Sequence, residues 1–184
     1  LEGVTGSGKT EVYLQLAQQV LAREQCVLLL VPEIALTPQL QQRFTERFTH
    51  GVSVLHSGLN DTERERAWHQ VRLGLTPFVV GTRSSVLNPI PCLGLVIVDE
   101  EHEPAYKQQE GLRYSARDMA VIRAQRAGCP VILGSATPSL ESMHNVSFRG
   151  YQRLRLQQRA GSALPPNLHL LDIRDQPLSA GLSE

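Results

Sequence analysis

Short apolar runs alternate with stretches in which apolar residues recur every three or four positions. Cys26 to Val31 is continuously apolar, the pattern of a strand buried on both faces, and Phe78 to Gly81 and Leu93 to Val98 read the same way. Val52 to Leu55 and Val131 to Leu133 are shorter candidates. Between them lie helical signals. Gly8 to about Arg23 places Val12, Leu16 and Val20 on one face. Thr37 caps a helix with Pro38 at its first position, running to about Phe48. Asn60 with Glu63 forms a capping box that opens a polar helix to about Leu73. Ser115 with Asp118 starts another to about Arg126, a short helix follows Ser139, and Tyr151 to Leu156 suits a last strand. Strand alternating with helix predicts an α/β fold built on a mostly parallel sheet covered by helices.

Residues 1–161 are expected to form one lobe. Gly161 to Pro166 reads as a linker, and Leu168 to Ile173 as the start of a following unit, cut short within 162–184. The phosphate-type loop that opens the chain should follow a strand, so the chain is expected to be a piece of a longer protein.

Composition narrows the function classes. The chain has 184 residues, 41% hydrophobic and 20% charged, enough for a packed core. Lys+Arg and Asp+Glu are both 18, which argues against coating nucleic acid by charge alone but leaves room for a local groove of phosphate contacts. Cys26, Cys92 and Cys129 are far apart and form no C-x-x-C pair, so neither a zinc site nor a disulfide framework is expected within this chain. No apolar run reaches membrane-spanning length and no signal-peptide pattern is present; a cytoplasmic protein with no membrane contact is expected.

Gly3-Val4-Thr5-Gly6-Ser7-Gly8-Lys9-Thr10 fits G-x-x-x-x-G-K-[ST] in full. Gly3, Thr5, Gly6, Ser7 and Gly8 would let backbone N–H groups turn inward around a polyphosphate at the positive end of the next helix. Lys9 would reach the β- and γ-phosphates, and Thr10 would bind Mg²⁺. ATP and Mg²⁺ are the implied cofactors. Further on, the apolar run Leu93 to Val98 delivers Asp99-Glu100-Glu101-His102 at its end. A carboxylate at the C-terminal end of a buried strand is placed to hold Mg²⁺, here Asp99, and Glu100 would orient or deprotonate the attacking water. Lys9, Asp99 and Glu100 are the expected catalytic residues.

The acidic segment resembles the D-E-x-H box of superfamily 2 helicases, and Gly134-Ser135-Ala136-Thr137-Pro138 resembles their S-A-T motif. That resemblance implies a three-layer RecA-like P-loop lobe, with His102, Ser135 and Thr137 coupling nucleotide state to DNA. Val31 to Gln39 resembles motif Ia and Gly81 to Ser84 motif Ib; Pro32, Thr37, Thr82, Arg83 and Ser84 would grip DNA phosphates without reading bases. Glu103 to Asp118 holds two of the four tyrosines and one of the two lysines. Tyr106, Lys107, Arg113 and Tyr114 suit stacking and phosphate contact on a single strand.

Taken in order from Gly3 to Gly161, these segments resemble the primosomal protein N′ family of replication-restart helicases. Membership implies an ATP-dependent 3′–5′ DNA helicase that assembles primosomes and restarts stalled forks, acting on single-stranded and forked DNA with other primosome proteins and single-strand-binding protein. In that family the loop after the acidic box is aromatic-rich and links single-stranded DNA binding to ATP hydrolysis; this chain has Leu112 where a tryptophan is expected. The family's zinc-binding, cysteine-rich region and its second helicase lobe have no counterpart in these residues. Another superfamily 2 translocase, of recombination or restriction type, and a non-hydrolysing nucleotide-binding module are the alternative readings.

Overall fold

A computed structural model describes residues 1–48 and 51–160. The expected linker and following unit lie outside the described residues. The strands are β1 (Glu2–Gly3), β2 (Cys26–Leu30), β3 (Val52–Leu55), β4 (Phe78–Gly81), β5 (Leu93–Val98), β6 (Lys107–Gln108), β7 (Tyr114–Ser115), β8 (Val131–Leu133) and β9 (Arg155–Leu156). The helices are α1 (Lys9–Leu21), α2 (Pro38–Arg47), α3 (Asp61–Arg72), α4 (Ala116–Ala127) and α5 (Leu140–Phe148).

β2, β3, β4, β5 and β8 form a five-stranded sheet in the order β3-β4-β2-β5-β8, parallel throughout. Side chains alternate across it because strand periodicity is two. Leu28 and Leu30 of β2, with Val96 and Val98 of β5, join Val71 of α3 and Ala116, Ala120 and Ala124 of α4 on one face. Val27 and Leu29, with Leu95 and Ile97, meet Tyr13, Ala17 and Leu21 of α1 and Phe44 of α2 on the other. Each fully buried Leu, Ile or Val contributes about 1.5–3 kcal/mol, so the two apolar interfaces hold the three layers together. β2 and β5 are buried at every position, as expected for strands covered on both sides.

The caps follow the sequence. The Thr37 hydroxyl accepts the Leu40 N–H, Asn60 and Glu63 complete a reciprocal capping box, and the Ser115 hydroxyl accepts the Asp118 N–H. Two expectations need correction. The innermost face of α1 is Tyr13, Leu14, Ala17 and Leu21, whereas Val12, Leu16 and Val20 are only half-buried. The helix is rotated so that Lys9 and Tyr13, one turn apart, point toward the end of β5. The last strand shrinks to Arg155–Leu156, which pairs in parallel with β1.

β1 also lies beside the exit of β8. The Gly3 N–H donates to Ser135 O at 3.1 Å and the Ser135 N–H to Leu1 O at 3.1 Å. The phosphate-type loop, the end of β5 and the end of β8 therefore emerge together along one edge, where ligands of parallel sheets bind. No described helix is long and apolar enough to cross a membrane.

Candidate functional site

The loop after β1 turns through two left-handed glycines, Gly6 at φ 79° and Gly8 at φ 93°. A side chain at either would strain the backbone. Gly8 precedes α1 with no side-chain cap, so the first N–H groups of that helix face the loop's concavity. The Ser7 hydroxyl is buried with no partner among the described residues, and Lys9 Nζ donates to Gly3 O at 2.7 Å. An uncapped helix start, an orphan hydroxyl and a buried ammonium fit a polyphosphate.

A cleft of about 670 Å³ opens above this loop. Thr5, Gly6, Ser7, Gly8, Lys9, Thr10, Asp99 and Glu100 all line it, as do Arg43 and Arg47 of α2. Thr10 and Asp99 thus line the same cleft. A hydroxyl with one carboxylate suits a magnesium ion that completes its shell with phosphate and water.

Asp99 is fixed on several sides. Its N–H donates to Leu30 O at 2.9 Å, Oδ1 accepts the Tyr13 hydroxyl at 2.9 Å, and its carbonyl accepts the Tyr106 hydroxyl at 2.7 Å. Burial pushes its carboxyl above the usual aspartate range, with Glu100 adding to the rise and Tyr13 and Lys9 opposing it. Burial, reinforced by the charge on Asp99, raises both phenols, so each stays a proton donor.

Glu100 is held at φ 45° in the left-handed region. For a non-glycine residue this stores about 1–3 kcal/mol and is characteristic of functional sites. Its carboxylate lies 3.8 Å from Lys9 Nζ and 3.6 Å from His102 Nδ1. His102 Nδ1 is 2.7 Å from Ser135 Oγ, which also accepts the Thr137 N–H at 2.9 Å. The three expected coupling residues thus form one chain, from Glu100 to the exit of β8.

A groove of about 400 Å³ lies farther along the same sheet edge. Pro32, Thr82, Arg83, Ser84, Tyr106 and Tyr114 line it together with His56, Ser57 and Arg64. Thr37 does not line it; its hydroxyl caps α2. Arg83 reaches across to the loop, donating to Ala105 O at 3.1 Å and Lys107 O at 3.3 Å. Lys107 and Arg113 are exposed beside Tyr114 on an adjoining surface cleft, and Leu112 is 75% exposed. Tyr106 departs from expectation. It is 2% exposed, and its ring packs in the core while its hydroxyl is spent on Asp99. Its faces are not open to a base.

A DEAD/DEAH box helicase profile matches residues 1–146. The chain belongs to the DEAD/DEAH box helicase family. Replication restart protein PriA of Haemophilus influenzae is 48% identical over 184 residues, covering all of this chain and 25% of that protein. PriA of Bacillus subtilis is 46% identical over 176 residues, 96% of this chain and 22% of that protein. The chain thus spans about a quarter of the length of these curated relatives. Among solved structures, RecG bound to a three-way DNA junction superposes with a TM-score of 0.60 at 25% identity, over 90% of this chain and 21% of that one. The Pyrococcus furiosus Hef helicase domain gives 0.57 at 20% identity, over 85% and 34%. The RecA-like α/β fold is established by these superpositions and by the parallel sheet.

Within this DEAD/DEAH box lobe several residues that shape the site went unnoticed in the sequence. Tyr13 lies one turn after Lys9, and that i, i+4 spacing was the available signal. Gly134 carries no side chain because an added Cβ would overlap the Tyr13 hydroxyl. Glu101 is buried and gathers donors from Arg117, Ser139 and Ser142. Nothing local in the sequence marks those partners.

Proposed function

We propose that this chain is the ATP-binding lobe of a DNA-dependent ATPase that works as a 3′–5′ DNA helicase in primosome assembly and the restart of stalled replication forks. The observation that carries the reading is the convergence of Lys9, Thr10, Asp99 and Glu100 on one cleft at the edge of a parallel sheet. Similarity to the PriA proteins supports the replication-restart role.

Mg²⁺·ATP supplies the scissile phosphoanhydride and the metal that neutralises its charge. The uncapped start of α1 and Lys9 bind the phosphates, while Thr10 and Asp99 hold the metal. Glu100, strained and close to both Lys9 and His102, aligns and deprotonates water. His102, Ser135 and Thr137 carry the state of that centre toward the groove. There Pro32, Thr82, Arg83 and Ser84 grip the backbone of single-stranded or forked DNA. Lys107, Arg113 and Tyr114 extend that contact along the 103–115 loop. Residues 1–161 form this lobe, and 162–184 lead into the second. Other primosome proteins and single-strand-binding protein are the partners, in the cytoplasm.

DNA-stimulated ATP hydrolysis by the full-length protein tests the reading, with Glu100→Gln as control. Single-stranded DNA is expected to stimulate turnover, and removing the base to lower it by about 10²–10⁴ while ATP still binds. No stimulation by DNA, or an unaffected Glu100→Gln enzyme, refutes it.

A further inference from the structure

Within the Asp99–His102 box, Glu101 turns away from the nucleotide cleft. It is 3% exposed. A buried carboxylate is costly unless donors surround it, and here four do. The Ser139 N–H donates at 2.7 Å, the Ser139 and Ser142 hydroxyls each at 2.9 Å, and Arg117 Nη1 at 3.3 Å. Ser139 is the N-cap of α5, so the negative charge also sits at the favourable end of a helix. Arg117 lies in the first turn of α4, two residues after β7, and donates to Ser139 Oγ at 2.9 Å as well.

These donors come from two elements tied to the DNA-side loop. β6 and β7 pair antiparallel as the loop's stem, with Lys107 opposite Ser115. Lys107 and Arg117 each approach Glu141, in the first turn of α5, at 3.9 Å. Stem, α4 start and α5 start are therefore pinned together, and Glu101 joins that body to the acidic box. Its own N–H donates to Gly134 O at 2.9 Å, next to the Ser135 that meets His102. Glu100 and His102 are its immediate neighbours along the chain.

We propose that Glu101 is a positioning residue whose carboxylate locks the first turn of α5 and, through Arg117, the foot of the 103–115 loop onto the acidic box, so that DNA held at the loop sets the placement of Glu100 and His102. The inference rests on the reading of the chain as the ATPase lobe of a DNA-stimulated motor. Glu101→Gln keeps the size of the side chain but turns one of its two acceptor oxygens into an NH2 donor and removes the charge that Arg117 answers.

The test uses full-length protein, with basal and single-stranded-DNA-stimulated ATPase measured for wild type, Glu101→Gln, Arg117→Gln, Arg117→Lys and the double variant Glu101→Gln/Arg117→Gln. Glu101→Gln is expected to leave the basal rate and the KM for ATP within about twofold and to cut the DNA-stimulated kcat about tenfold, the scale of a coupling free energy between sites. Arg117→Lys restores most of the stimulation lost in Arg117→Gln, and the double variant is no worse than the poorer single variant. Equal falls in basal and stimulated rates, or unchanged stimulation, overturn the proposal. Should Glu101→Gln not fold, Ser142→Ala removes one donor only and is expected to lower stimulation with an unchanged basal rate; unaltered stimulation there overturns it too. Wild type without DNA stimulation would instead refute the motor reading, and the inference with it.

Discussion

The Tyr13 hydroxyl donates to Asp99 Oδ1 at 2.9 Å, joining the first turns of α1 to the end of β5 across 86 positions of sequence. This bond orients the carboxylate assigned to the metal. Tyr13→Phe is expected to destabilise the fold by about 1 kcal/mol, the net worth of such a bond, and to weaken magnesium-dependent ATP binding. Thermal melting and nucleotide titration check the two effects separately.

Gly134 supplies the space for that hydroxyl. Gly134→Ala places a methyl group where the Tyr13 oxygen lies. Overpacking of this kind costs about 1–3 kcal/mol. The double variant Gly134→Ala/Tyr13→Phe is expected to recover part of the loss in melting temperature, since the atom in conflict is gone.

Asp99 carries a pH signature. Burial raises its native pKa above the unfolded value, so the native state holds its proton more tightly. Its contribution to stability is most favourable below the ordinary aspartate range and falls as pH rises through the raised native value. In chelator, Asp99→Asn is expected to melt above wild type at neutral pH, and the gap to close on acidification. A lower melting temperature for Asp99→Asn at neutral pH would show that the ionised carboxylate is well compensated.

The two tyrosines of the 103–115 loop should separate cleanly. Tyr106 is buried and Tyr114 is half-buried at the groove. Tyr114→Ala in the full-length protein is expected to weaken single-stranded DNA binding by about 1–3 kcal/mol, the worth of one stacked base. Tyr106→Phe keeps the packed ring and should leave DNA affinity unchanged. Fluorescence anisotropy with labelled oligonucleotide distinguishes them.

The chain by itself is expected to hydrolyse ATP negligibly. Arginine fingers of the kind a second lobe supplies are worth about 10³–10⁵ in rate. Turnover by residues 1–184 at the full-length rate would show that Lys9, Asp99 and Glu100 suffice.

Much of the architecture was legible because it rests on local signals. Leu28 to Leu30 and Val96 to Val98 read as strands since both faces are covered, and Thr37 and Asn60 announce their helices through bonds spanning three residues. The Gly3 to Thr10 loop is a contiguous motif, so its position beside Asp99 needed only the parallel sheet order. The innermost face of α1 is not marked by hydropathy, because Tyr13 carries a polar tip and Ala17 is small, while the more apolar Val12 and Val20 are only half-buried. Tyr106 was misjudged for a related reason: a tyrosine among cations looks like a stacking platform, and its bond to the Asp99 carbonyl is a tertiary event. Glu101 and Arg117 lie 16 positions apart and are brought together only by the tertiary fold.

Asp99 faces two compartments at once: its carboxylate lines the nucleotide cleft, and its carbonyl holds the tyrosine that lines the neighbouring groove. One residue thus connects the two sides through its carboxylate and its carbonyl. A substitution that shifts the backbone at residue 99 would therefore be felt in both the cleft and the groove.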